Sequence, residues 1–206
     1  MTRLGQRRRL AAGAIALSLP VLAMPSSALG GSLTFASAPA LPVLTSVTIN
    51  AQSQTVFTTM TNLSISDTRT TKLGWKVTVK GQAAVGKSAV FAQYCPKAKC
   101  GAESEGYIAG GKTMAAKSLK LNSTGASFTG GSGGPPTFQC STACNIDSAT
   151  AVKIVSAATG GAGEGTWTST GLSSKSLELT VPTTLRALPA EEIYRVDILW
   201  TLASGP

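Results

Sequence analysis

Apolar and polar residues alternate with a period of two along much of the chain, and this pattern predicts half-buried β-strands. The clearest alternation is the last one, in which Tyr194, Val196, Ile198, Trp200 and Leu202 share one face. Shorter alternating or apolar runs occupy residues 47–51, 62–66, 75–80, 90–94, 152–155 and 177–181. Many short strands with little helix predict an all-β fold, an antiparallel β-sandwich that is Ig-like or jelly-roll-like. A closed barrel fits the same pattern.

The segments between these runs favour turns and loops more than helices. Residues 113–121 could form two helical turns, but no capping box precedes them. Residues 125–136 are rich in glycine and end in two prolines, which predicts a flexible loop. Residues 159–165 are a second glycine-rich link, and residues 29–42 favour an extended entry arm. We therefore expect one sandwich domain with long Gly-rich loops.

The N-terminus has the pattern of a signal peptide. Four arginines lie within the first nine residues, and an apolar run then covers residues 10–23. That run is shorter than the ~20 residues that a membrane-spanning helix needs. Small residues at Ser26 and Ala28 suit cleavage near residues 28–30. The sequence thus predicts a signal peptide over residues 1–28 and a single mature domain over residues 29–206; an uncleaved anchor is the alternative.

Composition and charge narrow the range of functions. Histidine is absent, which excludes a Ser-His-Asp triad and His-ligated zinc. Without the four leader arginines, 14 basic and 9 acidic groups remain, a net charge of +5. No basic cluster is interleaved with aromatic residues, so we expect no nucleic-acid partner. No second apolar run is long enough to cross a membrane. The mild positive charge suits anionic cell-wall polymers.

Four cysteines fit an exported protein with disulfide bonds. Cys95 and Cys100 enclose four residues, and Cys140 and Cys144 enclose three. We prefer two local bridges, Cys95–Cys100 and Cys140–Cys144. Cross-pairing between the two segments is the alternative, because sequence alone does not choose among the three possible pairings.

Two pairs of segments resemble the WxL domain of Gram-positive surface proteins. The first pair runs over residues 63–69 and 73–79, and contains Asp-Thr-Arg and then Gly-Trp-Lys-Val. The second pair runs over residues 177–182 and 194–202, and ends in Trp-Thr-Leu. The first motif departs from the family pattern in having Trp-Lys-Val, and the two cysteine pairs look like additions.

The resemblance implies a secreted, non-enzymatic, cell-wall-associated protein. It would attach non-covalently to peptidoglycan or another cell-wall glycan, with other exported surface proteins as further partners. A different function would be that of a structural subunit of a surface complex, bound to its partner by edge-strand pairing. A secreted hydrolase is a third hypothesis, for which Glu103/Glu105 and Glu191/Glu192 are the close carboxylate sets. We expect no catalytic residue, no cofactor and no metal.

The tryptophan motifs supply the candidate ligand-binding residues. These are Trp75, Lys76, Val77, Trp167, Trp200, Thr201 and Leu202. A tryptophan at these positions either fills the core or stacks on sugar rings at a groove. Trp167 lies among glycines, which predicts a loop. Residues i and i+1 of a strand point to opposite faces. Outward residues such as Lys76 and Thr201 are therefore better placed to meet an anionic glycan.

Two charged pairs suggest structural roles. Asp67 and Arg69 are expected to brace the turn before the Trp75 strand, because Asp side chains bind their own backbone in turns. Arg195 and Asp197 are expected to lie on the outward, solvated face of the last strand, where such a pair contributes roughly 0–1 kcal/mol.

Overall fold

The structure is a computed structural model that describes residues 16–18 and 30–206, and its regular secondary structure is almost entirely β-strand. The predicted leader lies outside the described residues except for Ala16–Ser18. The strands are β1 (Ala16–Ser18), β2 (Leu33–Ser37), β3 (Gln54–Thr58), β4 (Ser64–Asp67), β5 (Trp75–Gly81), β6 (Ala92–Cys95), β7 (Gly106–Tyr107), β8 (Leu119–Leu121), β9 (Ser127–Ser132), β10 (Thr137–Phe138), β11 (Cys144–Asn145), β12 (Val152–Ala157), β13 (Glu164–Thr170), β14 (Leu177–Val181) and β15 (Ile193–Ser204). A single helical turn, α1 (Lys97–Cys100), follows β6.

The strands form three sheets. The largest has the order β10-β12-β5-β15-β6-β7, with β1 also paired to β15; the others have the orders β11-β8-β14-β3 and β2-β4-β13-β9. All pairs are antiparallel except that of β1 with β15. The sheets of the described chain do not close into a barrel, so the predicted antiparallel all-β sandwich class is confirmed.

Alternation decides which side chains form the core. In β5, Trp75, Val77 and Val79 are fully buried, while the residues between them are partly exposed. The five residues of β14 repeat this pattern. Because side chains point alternately to the two faces of a strand, one apolar face per strand fills the space between the sheets. The long strand β15 pairs with β6 at residues 193–195 and with β5 at residues 198–204.

One expectation about secondary structure is wrong, and one helix that the sequence left open does not form. Residues 47–51 alternate but form no strand, whereas Gln54–Thr58 pairs with β14 along its whole length. Residues 113–121 contain no helix, and Leu119–Leu121 is instead a strand between β11 and β14. In both places pairing with a neighbouring strand outweighs the local pattern.

The glycine-rich segment 125–136 also differs from the expected loop, because Ser127–Ser132 forms β9. This strand pairs with β13, and the register shifts between Glu164 and Trp167. Gly130 and Gly131 have φ values of 102° and 54°, which residues with a Cβ rarely adopt. The glycines therefore allow an irregular strand here. Trp167 lies inside β13, so its predicted loop setting is wrong.

The two preferred disulfides are confirmed. Cys95 pairs with Cys100 at a Cα–Cα distance of 5.9 Å, and Cys140 pairs with Cys144 at 5.3 Å. The first closes the turn that contains α1, and the second lies beside β11. Across residues 16–18 and 30–206, no helix has the length and apolar character needed to cross a membrane.

Candidate functional site

The tryptophans of the two motifs lie in the core. Trp75 and Trp200 are each 0% exposed, and Val77 is also buried. The Trp75 Nε1–H donates to the Gly163 carbonyl oxygen at 3.1 Å, whereas the Trp200 Nε1 has no hydrogen-bond partner among the described residues. Leu202 is partly buried against the same cluster. With no indole surface open to solvent, neither ring offers a stacking platform in this conformation.

Trp167 is nearly as enclosed, at 6% exposed. Its Nε1–H donates to the Glu164 carbonyl oxygen at 2.8 Å. A Cβ at Gly131 would overlap the indole, so this glycine makes room for the ring. The irregular strand β9 thus forms one wall of the Trp167 pocket, and the ring itself belongs to the hydrophobic core.

The outer face of the largest sheet carries the exposed part of the motifs. Lys76, Thr78 and Lys80 alternate with the buried residues of β5. In register, Thr78 lies opposite Lys153 of β12 on one side and Thr201 of β15 on the other. We name these five residues the lysine face. Because neighbours in a strand point to opposite faces, burying the motif tryptophans turns the residues that follow them outward.

The strand segments that carry the lysine face contain no acidic residue. The segments 75–81, 152–157 and 198–204 contain three lysines and no aspartate or glutamate. The Lys76 Nζ donates to the Pro206 backbone oxygen at 3.3 Å. Lys153 was not among the predicted site residues, because the sequence does not reveal that β12 lies beside β5. The sequence did indicate that Lys153 points outward, because it follows an apolar residue in the predicted strand 152–155.

Asp67 and Arg69 fix the turn before β5, as expected. The Asp67 carboxylate accepts the Arg69 backbone N–H at 3.1 Å and its Nε and Nη2 at 2.8 Å each. The same guanidinium donates to the Gly74 carbonyl oxygen at 2.9 Å and to Ser204 Oγ at 2.6 Å. These contacts tie the start of β5 to the end of β15, and so position the lysine face.

The expectation of a solvated Arg195–Asp197 pair is wrong, because Asp197 is 0% exposed. Its carboxylate lies 3.3 Å from Arg195 and 3.6 Å from Lys87, and it accepts the Tyr107 hydroxyl at 2.6 Å. Burial and this hydrogen bond raise the pKa of Tyr107. The segment after β5 covers this part of β15, since the Asp197 backbone N–H donates to the Ser88 carbonyl oxygen. These contacts give the pair a structural role.

The described arrangement defines a class of domain: an all-β module that buries the rings of its tryptophan motifs and presents lysine and threonine outward. A model of the WxL family, described as a surface cell wall-binding domain, matches residues 31–206. The chain therefore belongs to the WxL family, as its motifs predicted. Its domain binds the cell wall, and the protein is extracellular and cell-wall associated. Neither curated proteins nor solved structures give a match.

Proposed function

We propose that the domain attaches the protein non-covalently to the peptidoglycan of the Gram-positive wall, and that the lysine face makes the contact. The observation that carries this proposal is the set of three lysines on one sheet face without a carboxylate on the same strand segments. Peptide stems of the wall carry carboxylates, which such a face attracts. The hydroxyls of Thr78 and Thr201 lie between the lysines and can donate to or accept from sugar and amide groups.

In this proposal the motif tryptophans act indirectly. Trp75 and Trp200 anchor adjacent strands in the core, and Val77 and Leu202 are paired in register between those strands. Large buried indoles fix the register, because a slip of one residue would exchange the inner and outer faces. Lys76 and Thr201 would then touch the wall, while their buried neighbours hold them in place.

Co-sedimentation with isolated Gram-positive sacculi tests the proposal. We expect purified mature protein to pellet with sacculi at low salt and to be released at high salt. Replacing Lys76, Lys80 and Lys153 together by Gln should weaken binding about tenfold, roughly 0.5 kcal/mol for each charge. The matched control replaces the exposed Lys97, Lys99 and Lys117 by Gln, with the same loss of charge outside the lysine face. Equal weakening by both triple variants would contradict a defined binding face.

We also propose that the domain is not an enzyme. Of the nine acidic residues, Asp67, Glu164, Glu178 and Asp197 each lie within 4 Å of a lysine or arginine nitrogen. Glu105 and Glu192 accept hydrogen bonds from Tyr94 and Gln93. These contacts support structural roles for the carboxylates. Incubation with peptidoglycan should release neither new reducing ends nor free peptide stems, and either product would refute the proposal.

The proposed export route is cleavage of a signal peptide over residues 1–28, which leaves one mature domain over residues 29–206. The basic start, the apolar run and the small residues before residue 29 support it. The N-terminal sequence of the protein recovered from the cell surface should begin near residues 29–31. An N-terminus at Met1 on the surface protein would instead favour the uncleaved anchor.

Edge-strand pairing with another exported surface protein is the second candidate function, and one observation favours it. Arg195 is paired with Ala92 of β6 and also with Ala16 of β1, so β1 occupies the edge of β15 opposite β6. Removal of the leader would open this edge to a strand from a partner. Hydrogen exchange at residues 195 and 196 of the mature protein should then slow when exported surface proteins are added. Unchanged exchange would count against strand addition.

A further inference from the structure

Strand β3 (Gln54–Thr58) is a regular edge strand with an open side. Six strands end the three sheet orders of the described chain, and three of them, β7, β10 and β11, have only two residues each. The pairings of β2 and β9 with their neighbours contain register shifts. All five residues of β3, by contrast, pair with β14 without a shift. The edge of β3 is thus the one among these six that is both regular and longer than two residues.

This edge lacks the features that usually keep strands from pairing with other chains. Natural sheets protect their edges with charged residues, prolines, bulges or very short strands. The sequence of β3, Gln-Thr-Val-Phe-Thr, contains no charged residue, no proline and no glycine. Valine, phenylalanine and threonine are among the residues that favour strands. The edge is therefore suited to accept another strand.

The register with β14 shows which backbone groups of β3 are open. In an antiparallel sheet the N–H and C=O of one residue point to the same side, and successive residues alternate. Thr180 of β14 donates its N–H at 2.9 Å to the residue before β8, so Leu179 points its backbone groups to β3. Leu179 lies opposite Val56. The backbone of Val56 therefore faces β14, and the N–H and C=O of Thr55 and Phe57 face away from it.

The open backbone groups and an exposed aromatic ring belong to the same residues. Among the described residues, none is a hydrogen-bond partner of the outward N–H and C=O of Thr55 and Phe57. The side chains of both residues are on the exposed face of the strand. Phe57 is 41% exposed, although the Lys175 Nζ lies 5.3 Å from its ring centroid. A strand added at this edge would therefore gain both hydrogen bonds and apolar contact.

A second copy of β3 matches this edge by symmetry. If two β3 strands run antiparallel with Val56 opposite Val56 of the second copy, Thr55 of each copy lies opposite Phe57 of the other. These are the residues whose backbone groups are open, so each of the two pairs can exchange two hydrogen bonds. The two Phe57 rings become diagonal neighbours on the exposed face, a spacing that aromatic side chains can bridge.

We propose that β3 is the interface of a symmetric homodimer, in which two four-stranded sheets join into one sheet of eight strands. A two-fold contact uses the same patch on both copies, and the uncharged β3 brings no like charges together. The interface is small, so the dimer is weak and reversible, with a Kd on the order of 100 µM. This edge is separate from the β15 edge, and the inference does not depend on wall attachment.

Sedimentation velocity of the mature protein over a range of concentrations tests the proposal. We expect the monomer to convert to a dimer as the concentration rises from about 10 µM to about 1 mM. A protein that remains monomeric at the highest concentration would overturn the inference. Larger aggregates in place of a dimer would overturn it too, because a two-fold contact closes on itself.

Thr55→Lys probes the edge itself. The variant places two lysines diagonally across the two-fold axis, and we expect the dimer Kd to rise at least tenfold. Its melting temperature should match that of the wild type, since Thr55 is exposed. The matched control is Thr129→Lys, which makes the same change at an exposed threonine of β9 and should dimerise normally. A dimer that Thr129→Lys disrupts and Thr55→Lys leaves intact would contradict the assignment to β3.

Amide hydrogen exchange of the wild type, resolved by residue, needs no variant. At concentrations above the measured Kd, the amides of Thr55 and Phe57 should exchange more slowly than below it, because they become bonded to the second copy. The Val56 amide should exchange at the same rate in both samples, because it already faces β14. Dimerisation with unchanged exchange at Thr55 and Phe57 would place the interface elsewhere and refute the proposal.

Discussion

Arg69 and Asp67 form a two-point ion pair, with Nε and Nη2 of the arginine each 2.8 Å from an oxygen of the carboxylate. The side chains are 9% and 5% exposed. Arg69→Ala would leave a buried carboxylate without its partner, so we expect a loss of about 3 kcal/mol in the free energy of unfolding. Urea denaturation measures this loss. The double variant with Asp67→Asn should lose less than the sum of the two single variants, because the pair acts as one unit.

The close approach of Gly131 to Trp167 gives a second prediction. Gly131→Ala combines an overlap with the indole and a φ of 54°, so we expect a loss of about 2 kcal/mol or more. Gly86→Ala is the control, since Gly86 has a φ of 69° with nothing within 4 Å of its would-be Cβ. It should cost about 1 kcal/mol, from the backbone alone. Equal losses would contradict a packing role for Gly131.

The sequence predicted the strands whose alternation is strong and whose inner face is apolar. Residues 177–181 are such a case, and they coincide with β14. The alternation at residues 47–51 predicted a strand that does not form, because a strand also needs a neighbouring strand for its backbone hydrogen bonds. The nearby segment Gln54–Thr58 has such a neighbour in β14. Strand β9 was not predicted, because its glycines give no alternation of apolar and polar residues. The strand forms because its backbone pairs with that of β13.

The candidate site was only partly predictable. The outward direction of Lys76 and Thr201 follows from the alternation around each tryptophan. Their alignment with Lys153 depends on the neighbouring order of β12, β5 and β15, which is a long-range property. The burial of Asp197 likewise requires Tyr107 and the segment after β5 to cover an outward position, and no local pattern encodes this.

Asp147 makes stability depend on pH. Burial raises the pKa of its carboxyl from 3.8 to about 6, although the Ser118 N–H donates to it at 2.9 Å. Since the folded pKa lies above the unfolded one, this stabilising contribution is complete below about pH 4 and is lost as the pH rises through about 6. We expect wild type to lose about 3 kcal/mol between about pH 2 and about pH 8 relative to Asp147→Asn, with most of the loss between about pH 4 and about pH 6. Urea titrations of both proteins at each pH measure the difference; parallel pH profiles would refute it.

The disulfide pairing predicts a pattern of thiol reactivity. Native protein should not react with a maleimide, and Cys140→Ser should expose one thiol, which peptide mapping places at Cys144. A label on Cys95 or Cys100 would support cross-pairing instead. Replacing both Cys140 and Cys144 by Ser should cost about 2 kcal/mol, as expected for a bridge that closes a very short loop.

The two motif tryptophans differ in one contact, and this predicts unequal costs for the same substitution. The Trp75 Nε1–H donates to the carbonyl oxygen of buried Gly163, while the Trp200 Nε1 is buried without a described partner. Replacement by Phe removes similar ring volume at both sites. At residue 75 it also leaves a buried carbonyl unpaired, so Trp75→Phe should be more destabilising than Trp200→Phe by about 1–2 kcal/mol. Thermal and urea denaturation of the two variants measure this difference. Equal losses in the free energy of unfolding would mean that ring packing alone determines how much each tryptophan stabilises the fold.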